Sequence, residues 1–291
     1  MIFSLIVPTV KRTWELGRFL KSVRDQKLRS FKLSDIEIIV IDQNEDERLA
    51  EVTAPYLGSL TINRVKAPSL GQSNAKNIGM KLIRGRYVAF PDDDCFYSED
   101  TLETVRLIFS ETGDRFALFG RGQDPDSGKP VLQYPSLERS IYKPNDSSVF
   151  LGIQYAQFYT APMVFEIGDF DLGLCSGGRW GSGEETDFAI RGLKKGIHFR
   201  FDPRILVHHP LVIAETMTME KLKRYSVGFG ALCRKQSLYG EFFFKFFKQL
   251  AGFFLFSVLL KFKRASVCWT ILSGRTIGLL TYRGQSNENS R

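Results

Sequence analysis

The chain reads as an α/β fold: a mostly parallel sheet sandwiched by helices, followed by a helical C-terminal appendage. Three observations predict this. Short apolar runs of strand length alternate with segments whose apolar residues recur at helical spacing. The run over 87–90 is short and apolar, the kind that forms a buried strand. After Met217 the alternation stops and phenylalanine-rich helices take over.

The elements follow in order. Residues 2–7 are an apolar run closed by Pro8, the first strand. Residues 13–26 carry Trp14, Leu16, Phe19, Leu20 and Val23 at helical spacing, with Thr13 as a cap. Residues 36–41 are a second strand ending on Asp42-Gln43-Asn44, and residues 60–65 a weaker third. Residues 71–83 form a helix with Asn74 and Lys76 near its start. Residues 87–90 are a buried strand that stops at Pro91, which cannot donate to a ladder. A helix over 98–111 and a strand over 116–120 follow. Residues 124–146, rich in Pro, Gly, Ser and Asp, read as a long loop of the kind that serves as a lid or binding loop. Residues 149–159 and 161–165 are strand-like and aromatic. Residues 184–195 form a helix, and residues 197–201 and 205–207 two short strands. The predicted boundaries are a catalytic domain over 1–216, a helical region over 217–283 and a disordered polar tail over 284–291.

With 43% hydrophobic residues in 291, a sizeable core is available. The net charge of +8 suits an anionic partner: nucleotide, nucleic acid or anionic membrane. Four widely spaced cysteines exclude a CxxC zinc site and point to a reducing compartment. The first residues lack the basic region and cleavage site of a signal peptide. No GxGxxG follows the first strand, and no Walker A sequence occurs.

The chemistry centres on Asp92-Asp93-Asp94, directly after the strand over 87–90. Three adjacent carboxylates repel one another, and a divalent cation of the Mg²⁺ or Mn²⁺ type would relieve the repulsion and bridge to phosphates. Ligands gather at the carboxyl ends of strands in open α/β sheets. The plain alternative is a solvated acidic turn that caps the next helix. Asp42, at another strand end, either accepts from a base or ribose or merely opens a turn. Lys76 either reaches a phosphate or is an ordinary surface lysine. A second charged centre is Trp180-Gly181-Ser182-Gly183-Glu184-Glu185-Thr186-Asp187. Its acids stand in the first turn of a helix, where the dipole favours negative charge. Trp180 offers a flat face for a sugar or base. His208-His209 follows a strand end, where neighbouring side chains point to opposite sides, so one of the pair faces a metal.

Together these stretches resemble the family-2 glycosyltransferases, inverting enzymes of the GT-A fold. The resemblance rests on Ser4-Leu5-Ile6-Val7-Pro8-Thr9, Ile38-Ile39-Val40-Ile41-Asp42, Gly71-Gln72-Ser73-Asn74-Ala75-Lys76-Asn77-Ile78-Gly79, Phe90-Pro91-Asp92-Asp93-Asp94, Gly183-Glu184-Glu185-Thr186-Asp187-Phe188 and His208-His209-Pro210. It covers residues 1–235. It implies that Pro8, Thr9 and Asp42 line a nucleotide pocket, with Asn74, Lys76, Asp92 and Asp93 completing it. Asp92 would sit near the ribose or uracil. Asp94 with His208 or His209 would ligate Mn²⁺ or Mg²⁺. Glu185 would be the base, where many members have Asp, and Glu184 and Asp187 remain candidates. Lys76 stands where many members have Arg, so a point charge replaces a bidentate fork. The donor implied is a nucleoside diphosphate sugar, UDP-linked, and the acceptor a glycan hydroxyl, polyprenyl-diphosphate-linked, in cell-surface polysaccharide synthesis.

In the appendage, residues 219–238 form a helix with a basic face. Residues 241–263 are dominated by phenylalanine interspersed with lysine, and residues 267–282 are a second apolar segment. The uninterrupted apolar run over 250–260 is shorter than the ~20 residues that span a bilayer. Basic, Phe-rich helices suit the headgroup region, so the expected location is cytoplasmic, peripheral at the inner membrane face. The alternative is packing on the domain or in a homo-oligomer. Nucleic acid is not an expected partner. Three other functions compete: a nucleotidylyltransferase, whose glycine-rich basic signature is replaced here by Pro8-Thr9-Val10-Lys11-Arg12, a phosphohydrolase with an Asp nucleophile, against which the acidic motif follows a late strand, and a non-catalytic membrane-bound sugar-nucleotide binder.

Overall fold

The computed structural model describes residues 1–113, 115–211 and 217–283. The tail from residue 284 lies outside them. The described residues divide into two compact units. The first comprises Met1–Phe170 and Phe188–Leu211, and the second Asp171–Asp187 with the described residues after 216. Residues 171–187 thus group with the C-terminal helices and not with the rest of the expected 1–216 domain, because Asp171 and Asp187 are both tied to Lys235.

In chain order the first unit contains β1 (Phe3–Thr9), α1 (Trp14–Arg24), β2 (Ile36–Asp42), α2 (Arg48–Thr53), β3 (Thr61–Lys66), α3 (Gln72–Met80), β4 (Tyr87–Ala89), β5 (Phe96–Tyr97), α4 (Thr101–Glu111), β6 (Phe116–Gln123), β7 (Arg139–Ile141), β8 (Gln157–Thr160), α5 (Ala161–Ile167), the body of α6 (Glu184–Lys194) and β9 (His198–His208). The described strands form one sheet in the order β3-β2-β1-β4-β8-β6-β9-β5, with β7 also on β9. The β3-β2-β1-β4 half is parallel, as the alternation predicts. The other half corrects the expectation of a mostly parallel sheet. There β8 runs antiparallel to both β4 and β6, and β5 and β7 run antiparallel to β9.

Alternate residues of β1 and β2 build two layers. Phe3, Leu5, Val7, Ile36, Ile38 and Val40 share a core with Leu16, Phe19, Leu20 and Val23 of α1 and with Leu102, Val105 and Ile108 of α4. On the other face α3 lies so close that a Cβ on Gly79 would come within 2.4 Å of Ile6. Glycine at that position lets helix and strand touch.

Three local readings change. Residues 161–167 are helical, because Pro162 suits a first helical turn. The two short strands expected over 197–207 are one strand, β9, whose register against β6 shifts opposite Phe119 and Arg121, close to Pro203. The loop over 124–146 is anchored: β7 pairs with β9, Tyr134 stacks on Phe201 at 5.7 Å, and the Tyr134 hydroxyl accepts from Gly122 N at 3.0 Å.

The second unit contains α7 (Met219–Gln236), α8 (Tyr239–Val258) and α9 (Phe262–Thr281). Helices α7 and α9 pack through glycines, since a Cβ on Gly278 would lie 1.9 Å from Val227 O. Among the described residues no helix is long and apolar enough to cross a membrane. All four cysteines are free and buried.

Candidate active site

The parallel strands deliver the first group of residues. Thr9 and Asp42 are register partners at the carboxyl ends of β1 and β2, and both are buried. Asp42 Oδ1 accepts from the amide and side chain of Asn44 at 2.9 and 2.8 Å, and Lys66 Nζ stands 3.1 Å from Oδ2. An acid so held is oriented, as a base- or ribose-recognising group must be. Asn74, at the start of α3, donates to Ser69 Oγ at 3.2 Å. Lys76 is fully buried. Its ammonium meets Gln154 Oε1 and lies 5.1 Å from the Phe170 ring centroid. Its cation is one of the charges that act on Asp92.

The three aspartates after β4 have different partners. Asp92 Oδ1 accepts from Gln72 Nε2 at 2.9 Å. Loss of hydration pushes its carboxyl up to about 6, and the Lys76 cation only partly offsets this. Asp93 is buried beside Arg12, whose Nη1 donates to its Oδ1 at 2.7 Å. Burial raises its carboxyl despite that pairing. Asp94 Oδ2 lies 2.5 Å from the same Arg12 nitrogen, and its Oδ1 lies 3.3 Å from His209 Nε2. Burial would raise this carboxyl too, but His209 and Arg12 outweigh it and hold Asp94 below the usual range.

The histidine pair separates as the strand geometry predicts. His209 faces the carboxylates, with its ring stacked on Tyr155 at 4.5 Å and Nδ1 2.8 Å from Pro210 O. A carbonyl at Nδ1 fixes the ring so that Nε2 is directed at the acids. His208 points the other way, stacked on Phe96 at 4.7 Å, with Nε2 2.9 Å from Ser98 Oγ. The expectation that either histidine serves therefore narrows to His209.

Asp92, Asp94 and His209 each bring a ligand atom within 4.8 Å of the others. Two carboxylates and an imidazole fit Mn²⁺ or Mg²⁺ chemically, the nitrogen leaning toward the former. Asp92, expected near the nucleotide, thus also belongs to the group of residues that could hold a metal.

The second acidic centre lies in the other unit. Gly183, at φ 110°, bends the chain into α6, where Asp187 N donates to Gly183 O at 2.9 Å. Asp187 is fully buried, and its Oδ1 takes Gln236 Nε2 at 2.7 Å and Lys235 Nζ at 2.9 Å. Glu184 is buried as well, whereas Glu185 is partly exposed. Trp180 is not the open platform expected. It is 6% exposed, its ring centroid 4.7 Å from that of Tyr282, and Gly173 leaves the space its ring fills.

Sequence reasoning missed Arg12, Gln72, Tyr155 and Lys235. For Arg12 a signal existed: Lys11-Arg12 follows a strand end in a chain expected to bind phosphates. The others become visible only when residues far apart in sequence meet.

A sequence profile of Glycosyl transferase family 2 matches residues 4–167. Poly(ribitol-phosphate) beta-N-acetylglucosaminyltransferase TarP of Staphylococcus aureus (strain N315) is 32% identical over 165 residues, 55% of this chain and 49% of that protein. The chain therefore spans about half the length of that relative. The crystal structure of S. aureus TarS 1-349 in complex with UDP-GlcNAc matches with a TM-score of 0.62 at 14% identity, over 98% of this chain and 93% of that one. Mannosyltransferase PcManGT from Pyrobaculum calidifontis, in complex with GDP-Man and Mn2+, matches with a TM-score of 0.56 at 12% identity, over 78% of this chain and 61% of that one. At these identities the two structures establish a shared fold.

Proposed function

The chain belongs to glycosyl transferase family 2, and we propose that it is an inverting, metal-dependent glycosyltransferase using UDP-GlcNAc. The acceptor we assign is a hydroxyl of a cell-surface glycan or polymer, carried on a polyprenyl diphosphate at the inner face of the membrane. One observation carries the reading: Asp92, Asp94 and His209 converge at the ends of sheet strands, with Arg12 already on Asp94. Anionic donors need cations at that place. The choice of UDP-GlcNAc and of a cell-surface acceptor is supported by what TarS binds and by what TarP glycosylates.

The residues divide the work. Asp94, His209 and Asp92 would hold a divalent ion, which when bound supplies Lewis-acid neutralisation of the leaving diphosphate. Thr9 and Asp42 orient the nucleoside. Arg12 turns from the aspartates toward the diphosphate as the donor arrives. Glu185 takes the proton from the acceptor hydroxyl as it attacks. Attack on the face opposite the diphosphate inverts the anomeric centre.

The test is UDP release from UDP-GlcNAc with Mn²⁺, with Mg²⁺ and with excess EDTA, followed by NMR of the product anomer. Turnover that requires the metal and yields the β-anomer is expected. Undiminished turnover in EDTA removes the metal role, and an α product removes inversion. Tight UDP-GlcNAc binding without turnover toward any acceptor or water would leave a sugar-nucleotide-binding module.

A further inference from the structure

In the second unit one helix carries its apolar side outward. Helix α9 commits one face to α7, where Gly274 and Gly278 lie against Ser226 and Val227. Helix α8 packs back with Phe242, which is buried, and with Phe253, whose ring centroid is 5.7 Å from that of Trp269. The opposite side of α8 is exposed and apolar: Phe243, Phe244, Phe247, Phe254, Leu255 and Val258 are each 50–79% exposed. At 100° per residue these six fall within about one third of the helix circumference, and they span about 22 Å of its axis. A contiguous exposed apolar stripe of that size marks an interface.

Charge selects the partner. From Phe242 to Arg283 the chain has no aspartate or glutamate and seven lysines and arginines. Lys248 flanks the stripe, and Lys261, Lys263 and Arg264 stand exposed beyond its end. A second copy docked face to face would bring together two cationic surfaces, since the one acid of α8, Glu241, is already paired with Lys245 at 2.9 Å. An anionic bilayer surface complements both features, taking the phenyl rings below the headgroups and the ammonium groups among them. No described helix is long and apolar enough to span, so the contact would be parallel to the surface.

We propose that α8 is an interfacial helix that docks the protein on anionic lipid through the Phe243–Val258 stripe, with Lys248, Lys261, Lys263 and Arg264 at the headgroups. The proposal does not depend on which sugar the enzyme transfers.

The test uses the full chain in co-sedimentation with vesicles of phosphatidylcholine, with and without phosphatidylglycerol. The intact protein should sediment with the mixed vesicles and several-fold less with phosphatidylcholine alone. F243S/F247S/F254S changes exposed side chains and should lower partitioning about tenfold or more. K261Q/K263Q/R264Q should erase most of the preference for anionic vesicles, and high salt should mimic it. UDP binding by both variants, read by calorimetry, should match the intact protein. Intact protein that stays in the supernatant overturns the proposal, as does equal sedimentation of the serine variant. So does a lipid-free dimer in sedimentation velocity that the serine variant dissolves, since the stripe would then be a contact between copies.

Discussion

Substituting two acids that stand two residues apart in α6 should produce opposite kinds of damage. Glu185→Gln keeps shape and removes a proton acceptor. General-base catalysis contributes about 10²–10⁴-fold, or about 2.7–5.5 kcal/mol of barrier. We predict a kcat loss in that range, KM for UDP-GlcNAc within about twofold, and a stability change within about 0.5 kcal/mol because Glu185 is partly exposed. Asp187→Asn is different. Removing one partner of a buried pair costs about 3–5 kcal/mol when the other charge is stranded. Here Lys235 keeps Asp171 at 2.6 Å, its side chain is 21% exposed, and the asparagine oxygen still accepts from Gln236. The cost therefore falls to about 1–2 kcal/mol, a Tm drop of several degrees, with kcat down less than about tenfold. The assay pairs initial rates of UDP release with thermal denaturation. If Glu185→Gln stays within tenfold of wild type while Asp187→Asn loses a hundredfold at unchanged Tm, Asp187 is the base and the assignment of Glu185 is wrong.

Five further substitutions probe the rest of the site and its scaffold. Asp94→Ala and His209→Ala should each cut Mn²⁺-dependent UDP binding at least about tenfold, whereas His208→Ala, which loses contacts to Phe96 and Ser98, should leave it nearly intact by calorimetry. Arg12→Gln should tighten Mn²⁺ binding in the absence of nucleotide several-fold, because guanidinium and metal compete for Asp94, and should weaken UDP binding. A drop in metal affinity would show that Arg12 instead preorganises the acids. Gly278→Ala should destabilise the second unit by about 2 kcal/mol or more despite the better helix propensity, since its Cβ meets the Val227 carbonyl. An unchanged melting curve would count against the tight α7–α9 packing.

What the sequence made legible depended on how local the cause was. Strands β1, β2 and β4 were readable because burial on both faces leaves uninterrupted apolar runs, and their polar ends marked Thr9, Asp42 and Asp92. The run over 161–165 is apolar too, and periodicity alone cannot tell a short buried strand from a helical turn. Strand β7 was invisible because Arg139 and Ser140 are exposed there and only Ile141 is buried. The strand direction of β8 depends on which neighbours it joins, and nothing within residues 157–160 encodes that. The opposite orientations of His208 and His209 followed from strand geometry, but which one faces the acids is set by Tyr155 on one side and Phe96 on the other. Trp180 was misread because its burial depends on Gly173 and Tyr282.

The repulsion within Asp92-Asp93-Asp94 is visible in the sequence, and the folded chain answers it unequally. Two cations and an imidazole from distant segments converge on three adjacent acids: Arg12 on Asp93 and Asp94, His209 on Asp94, and Lys76 acting on Asp92. Asp94, with two of them in contact, is held low, while Asp92, whose nearest side-chain donor is a neutral amide, is pushed up to about 6. The acid best kept ionised is therefore the one that sequence reasoning assigned to the metal. Arg12 holds Asp94 Oδ2, beside the Oδ1 that faces His209, and its side chain is 43% exposed. A long, half-exposed side chain can leave that oxygen without opening the core, whereas buried Lys76 cannot. We therefore propose that the site exchanges the Arg12 cation and keeps Lys76, Arg12 being the one that follows the strand end where the nucleotide is expected.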